Sequence, residues 1–364
     1  GIVTYTGTAS VQSINVGWKP DFVWIKDREV GWNHQLYDSV RGVGANKELT
    51  TSQNWKEGDT TNMNTGAYGY VSSLDPYGFT LNPGSGGAGQ YVNQNTKKYV
   101  AWAWKAGGNS NTYNIDGNGY STASAAGLTA GTIPLTGASV NTKSGFSIVG
   151  YTGNGTSGAT LSHGLGKTPA FVIIKNRVNT GGYNWVVWHQ SVSQSIHSNS
   201  TFTLSGFTGA LILNGTNASF TYSFDGQING STENHIAYLW AEIPGFSKFG
   251  SYTGNGSSDG PVIITGFRPR WILLKSIATS VARDWLLYDT SRGLYNPQAE
   301  GPLQPNTSGT PYGFAGYDGI DILSNGFKLR TSINNINAST EVHIYAAFAE
   351  SPTFNLYGAQ ANAR

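Results

Sequence analysis

Three stretches of the chain are apolar at every position: Phe22–Ile25, Phe171–Ile174 and Trp271–Leu274. Each begins two residues after a proline (Pro20, Pro169, Pro269) and ends on a lysine (Lys26, Lys175, Lys275). Proline cannot donate to a β-ladder, so it marks the entry to a strand. A strand with one wet face alternates apolar and polar residues; continuous apolarity predicts cover on both faces. That cover has to come from another domain or from another subunit. Elsewhere large and small residues alternate, as in Ala101–Trp104, which puts Trp102 and Trp104 on one face. Trp240 and Phe348 stand where Trp104 does in the related stretches, and each is expected to anchor the core of its own module. No segment carries a 3.6-residue apolar period with helix caps, so the pattern predicts an all-β protein.

The apolar runs belong to a longer phrase written three times. Each copy opens on Tyr-Thr-Gly (Tyr5, Tyr151, Tyr252), reaches the proline-led run, then a second aromatic run, then a closing strand. The closing stretches Ile228–Glu242 and Ile336–Glu350 share nine of fifteen residues at a constant offset of 108. Self-similarity at one spacing sets the architecture before any local assignment. The expectation is three tandem β-sandwich, jelly-roll-like repeats of about 100 residues. They occupy 1–107, 145–246 and 247–364, the last with a C-terminal tail. A Gly/Ser/Thr-rich linker spans 108–144, and its Ile133–Val140 part is expected to add one edge strand.

Composition fits this picture. The 364 residues include 49 Gly, 11 Trp and 20 Tyr, with 12% charged, which suits pleated surfaces joined by many turns. A net charge of +2 with scattered Lys and Arg leaves no footprint for nucleic acid. Nothing approaches a membrane-spanning apolar run or a signal-peptide core, so membrane insertion is not expected. The absence of cysteine excludes disulfides and thiol chemistry. The start at Gly1 without methionine suggests that something was removed upstream.

Candidate chemistry is sparse. Asp38 and Arg41 recur as Asp289 and Arg292; they form either a grip for a sugar or acidic ligand or, as favoured here, a structural turn in which Asp accepts backbone amides and pairs with Arg. His235 and His343 recur opposite Tyr99, and His34, His163, His189 and His197 show no metal-type spacing, so packing roles are expected. Glu233 and Glu341 recur, but no acid pair of glycosidase type stands out. Nucleophile elbows and phosphate loops are absent. Asn114, Asp116 and Asn118 alternate as in calcium loops but lack the closing glutamate, which favours a turn. Neither an enzyme, a cofactor nor a metal is expected. The residues singled out for ligand contact are the loop aromatics Trp32, Trp55, Tyr68, Tyr70 and Tyr183. Flanked by Asn, Gln and Gly, such rings either stack on sugar faces or pack against neighbouring modules.

The linked motifs GFSIVGYTGNG with HGLGKTPAFVIIKNR, GFSKFGSYTGNGSSDGP, ILSNGFKLRT and the terminal YAAFAESP with its final NAR resemble a family of bacteriophage virion proteins, tail-fibre-like and found in phages of marine and cyanobacterial hosts. The resemblance covers nearly the whole chain. It implies a virion location and a homo-oligomer, with a trimer expected, that contacts other virion proteins and host surface polysaccharide. The implied function is adsorption to host glycans through a tail fibre or similar appendage. The alternatives are a structural virion component without glycan affinity, such as a head decoration, head fibre or tail component, and a polysaccharide depolymerase.

Overall fold

The computed structural model describes residues 1–349 except 109, 179–182, 193–201, 205–210, 214–216, 221–225, 278–282, 294, 295, 297–299 and 313–318. His197 and the tail beyond Ala349 therefore lie outside the described residues. The first stretch holds β1 (Ile2–Thr6), β2 (Gln12–Asn15), β3 (Phe22–Asp27), β4 (Gln35–Asp38), the single-turn helix α1 (Thr65–Tyr68), β5 (Tyr70–Asp75), β6 (Gly78–Asn82) and β7 (Lys98–Trp104). The connecting segment holds β8 (Tyr113–Ile115), β9 (Asn118–Tyr120) and β10 (Leu135–Asn141). The middle stretch runs β11 (Phe146–Thr152), β12 (Thr160–Ser162), β13 (Pro169–Asn176), β14 (Trp185–His189), β15 (Phe202–Leu204), β16 (Leu211–Leu213), β17 (Asn217–Phe220), α2 (Gly226–Asn229) and β18 (Asn234–Ala241). The last runs β19 (Ser247–Thr253), β20 (Val262–Ile264), β21 (Pro269–Ser276), β22 (Leu286–Asp289), β23 (Ile320–Leu323), β24 (Gly326–Leu329), α3 (Asn334–Asn337) and β25 (Val342–Ala349). The protein is all-β, built of several packed sheets.

One strand order occurs three times. β1-β7-β3-β4, β11-β18-β13-β14 and β19-β25-β21-β22 each place the opening strand beside the closing one, then the proline-led strand, then its hairpin partner. We call these the inner sheets. Each is accompanied by a three-stranded outer sheet: β2-β6-β5, β12-β17-β16 and β20-β24-β23. The linker does more than add one edge strand. β10 pairs antiparallel with β11 and parallel with β8, and β8 with β9 forms a hairpin; with β15 beside β14 at the other edge, the middle inner sheet reaches eight strands. The Asp116-Gly117 turn of that hairpin has φ of 51° and 91°, the left-handed geometry that suits a two-residue hairpin loop.

The apolar runs find their cover within the chain. In β3, Phe22 and Trp24 face a central core while Val23 and Ile25 face the outer sheet of the same stretch. The same division holds in β13 (Phe171 and Ile173 against Val172 and Ile174) and β21 (Trp271 and Leu273 against Ile272 and Leu274). All three inner sheets thus turn one face to a shared core, and each keeps its other face for its own outer sheet. Trp104, Trp240 and Phe348 correct the expectation of separate anchors. Trp104 meets Trp240 at 6.4 Å and Phe348 at 5.8 Å between ring centroids, and all three belong to the shared core. The continuous runs thus need no second chain for their cover.

Within two of the outer sheets, paired strands approach closely at a glycine. Gly78 in β6 and Gly326 in β24 lie against the backbone carbonyls of Ile14 and Ile263, and a Cβ at either would collide with that oxygen.

Candidate functional site

The loop aromatics divide between packing and exposure. Trp32, Trp55 and Tyr70 are half-buried against the core between the first inner and outer sheets. Tyr68 closes α1, whose N-cap Asn64 accepts from Ala67 N at 3.1 Å, and it is 40% exposed. Its carbonyl accepts from Tyr91 N at 3.1 Å, and the Tyr91 ring stands edge-on to both Tyr68 (6.0 Å) and Trp32 (5.4 Å). Trp32 Nε1 donates to Gln94 Oε1 at 3.4 Å. The structure therefore brings Trp32 and Tyr68 together through Tyr91, a ring the sequence reading did not single out. Tyr183 is half-buried on the middle stretch, and its carbonyl accepts from Lys175 Nζ at 2.5 Å, which also donates to Asn54 O at 3.0 Å. That lysine ties the backbone of Tyr183 to the residue before Trp55.

The Asp-Arg turns are structural, and they face neighbours. Asp38 Oδ1 accepts from Val40 N (3.0 Å) and Arg41 N (2.9 Å), while Oδ2 accepts from Arg41 Nε (2.5 Å) and from Tyr238 OH of the middle sheet (2.7 Å). Asp289 repeats the arrangement with Ser291 N, Arg292 N and Arg292 Nε, and its extra donor is Trp102 Nε1 of the first sheet at 3.2 Å. The middle stretch carries His189 at this position. Its Nδ1 accepts from Ser191 N at 3.1 Å, so Nε2 carries the hydrogen and donates to Tyr345 O at 3.0 Å. Burial pushes the His189 imidazole down to about 4, which keeps it neutral. Ala346, next to Tyr345, holds the strand position that Trp102 and Tyr238 hold in the other copies, and its side chain has no donor to offer an aspartate.

A second layer follows the same order. Glu57 takes Arg177 Nε of the middle stretch at 2.5 Å and lies 3.6 Å from Arg41. Glu300 pairs with Arg28 of the first stretch and lies 3.9 Å from Arg292. On the third seam Val192 and Ile277 occupy the matching places and pack on the shared core. The middle sheet thus leans on the first, the first on the last, and the last on the middle. Among the described residues two seams carry these ion pairs and the third carries none.

The remaining polar residues have packing partners. His235 stacks on Tyr151 (5.0 Å, 12°) and His343 on Tyr252 (5.1 Å, 13°), as Tyr99 stacks on Tyr5 (5.2 Å, 11°). Glu341 is held by Arg283 and Ser276, and Glu233 accepts from Asn176 Nδ2 at 2.7 Å. Asp116 takes Thr142 N and Oγ1, so the calcium-like spacing belongs to a hairpin. Among the described residues no group of three or more His, Asp or Glu could hold a metal ion. The run-ending lysines were not singled out as buried cations. Lys26, Lys175 and Lys275 are all buried, and burial lowers them to about 8, about 7 and about 8. Their constant place after an apolar run was the available signal.

No curated protein and no solved structure matches the chain. The chain belongs to the family described as a domain of unknown function (DUF7483), whose pattern matches residues 1–352.

Proposed function

We propose that the chain is a chemically passive, rigid body of a virion appendage such as a tail fibre, formed by three tandem copies of one two-sheet sandwich. It contacts host surface glycans through the Trp32–Tyr91–Tyr68 rings. The observation that carries the reading is the shared aromatic core, closed by three seams that each join a closing strand to the neighbour's turn. Such a body holds its outer loops in fixed relative positions, and many weak contacts on one particle add up. Tyr68 supplies an exposed ring of the kind that stacks on sugar faces. The test is retention of the protein on immobilised host envelope polysaccharide, with Tyr68→Ala as the variant. Loss of retention at unchanged thermal stability supports the reading; full retention by Tyr68→Ala removes the assigned site.

The half-buried state of Trp32, Trp55 and Tyr70 favours a second reading, a structural virion component without glycan affinity. Electron cryomicroscopy of particles separates the two: density on appendage tips supports the first, and uniform placement over the head supports the second.

A further inference from the structure

Strand β11 has a neighbour on each side, β18 and the linker strand β10, whereas its counterparts β1 and β19 are edges with one neighbour each. β10 lies in the seam between the middle and first inner sheets. Ala138, Ser139 and Val140 pair with Val149, Ile148 and Ser147, and Ser139 Oγ donates to Asp21 Oδ1 at 3.1 Å. Asp21 also accepts from Ala106 N and Gly108 N, so the linker is held by donors converging on one carboxylate.

Among the described residues, nothing fills the corresponding seam beside β1. A cavity of about 540 Å³ lies between Ile2–Val3 and the start of β21, bordered by Trp18, Trp104, Arg270 and Trp271. Arg270 follows Pro269 as Asp21 follows Pro20. Its Nη2 reaches Ile2 O (3.2 Å) and Ser291 Oγ (3.3 Å), but its Nε is buried without a partner. Trp271 Nε1, on a side chain that is almost fully buried, also lacks a partner. Unanswered buried donors are uncommon in folded proteins and require an explanation. In β1, Gly1 exchanges both backbone bonds with Ala103, and Gly7 N donates to Lys97 O. The alternation of an antiparallel ladder then turns the N–H and C=O of Thr4 away from β7, toward the open edge. The third seam differs because Ala170 holds the Asp21 position and offers no charge there; its edge carbonyl Phe249 O takes Gln190 Nε2 at 2.7 Å, much as Ile2 O takes Arg270.

We propose that the cavity beside β1 is a strand-acceptor groove for an extended segment of a partner protein. The segment pairs with β1 as β10 pairs with β11, and it presents an acidic side chain to Arg270 where β10 presents Ser139 to Asp21. The inversion of charge sets the chemistry: Asp21 collects donors, and Arg270 requires an acceptor. Backbone pairing supplies affinity and the carboxylate supplies selectivity, the division of labour seen in strand addition generally.

The test uses the 364-residue chain and two capped synthetic peptides spanning Ile133–Thr142, one with the native sequence and one carrying Ser139→Glu. Tryptophan emission is the readout, because Trp18, Trp104 and Trp271 border the cavity. The Ser139→Glu peptide is expected to bind at least tenfold more tightly than the native one, and Arg270→Gln is expected to erase that difference. A second variant, Thr4→Pro, removes the outward N–H of the edge while leaving the β7 ladder in place, and it should abolish binding of both peptides. No binding at millimolar peptide, or equal binding by wild type, Arg270→Gln and Thr4→Pro, overturns the proposal. A concentration-dependent dimer in sedimentation velocity that Arg270→Gln dissolves would also overturn it, by giving the groove to a second copy.

Discussion

Tyr238→Phe separates a shared core from three independent ones. The substitution deletes only the hydroxyl that donates to Asp38 Oδ2 at 2.7 Å inside the seam between the middle and first sheets. Asp38 keeps Arg41 and two backbone amides, so no isolated charge is left behind. A hydrogen bond to a charged group contributes about 1.5–3 kcal/mol, and about 2 kcal/mol is a fair central value. The resulting shift in melting temperature depends on how much of the chain melts together. Unfolding entropy is about 2.1 cal/mol/K per residue, so a single transition over the whole chain would carry about 0.76 kcal/mol/K and fall by about 3 °C. If a stretch of roughly 100 residues melted on its own, the same loss would lower that transition by about 10 °C and leave the others in place. The shared core predicts one endotherm in differential scanning calorimetry, displaced as a whole by the smaller amount. Two or three resolved endotherms, with only one displaced by the larger amount, would refute the argument that the inner sheets form one cooperative unit.

Three further outcomes are expected. His189→Asp buries a carboxylate that keeps the Ser191 amide but has neither an arginine nor a side-chain donor facing it, and it should destabilise by about 3 kcal/mol or more in urea titration, well beyond His189→Gln, because a buried charge without a countercharge is strongly unfavourable. Stability should rise with pH from about 7 toward 10: the fold lowers Lys175 to about 7 from 10.5, so between those values the unfolded chain binds more protons, with Lys26 and Lys275 acting in the same sense. Each group can contribute up to about 1.4 kcal/mol per pH unit, and Lys175→Met should flatten the slope in urea midpoints measured at pH 7, 8 and 9; an unchanged slope would assign the effect elsewhere. Above pH 10 buried tyrosines such as Tyr5 and Tyr238, raised by desolvation, oppose the gain as their unfolded counterparts ionise. Gly326→Ala drives a Cβ into the Ile263 carbonyl and should loosen the last outer sheet, read as faster amide exchange at Val262–Ile264 than in an alanine variant of a glycine with room for a Cβ and no positive φ, such as Gly31.

The all-β class, the strand after each proline and the two-sided burial of the apolar runs were legible because each rests on a local pattern. Val23 and Trp24 had to face opposite ways, and both had to be covered. What covered them was not legible. A run such as Trp271–Leu274 reads the same whether its companion is the next subunit or the same chain two hundred residues away, and the structure chooses the latter. The role of Trp102 was hidden for a related reason. Its counterparts in the other closing strands are Tyr238 and Ala346, three residue types with no common chemistry, and their meaning depends on what stands across the seam. Trp55 and Tyr70 carried the composition of sugar-binding loops, yet the first outer sheet draws their rings half into its core. Tyr91 was overlooked because nothing in the letters around it announces that two candidate rings converge on it.

The seams also argue about assembly. In a ring of three identical chains every seam carries the same residues, so an aspartate that suits one must suit all. Here the acceptor changes with its donor: Asp38 answers Tyr238, Asp289 answers Trp102, and His189 turns instead to a backbone carbonyl beside Ala346. The second layer changes in step, with Glu57 and Glu300 answering Arg177 and Arg28 while Val192 meets a seam that carries Ile277. Joint replacement of this kind is open only to positions encoded separately in one chain. It also fixes the order of the sheets around the core, because a carboxylate at the His189 turn would keep its turn amide but be buried with neither an arginine nor a side-chain donor, at a cost of several kcal/mol. Apolar burial drives the three faces together without specifying which meets which; among the described residues, the two seams with ion pairs and the one without supply that specification. Exchanging the pair, with Asp289→His and Trp102→Ala made together, should therefore be tolerated better than Asp289→His alone, as measured by a positive coupling energy in a double-mutant cycle. Strict additivity of the two losses would mean that the seams do not recognise one another.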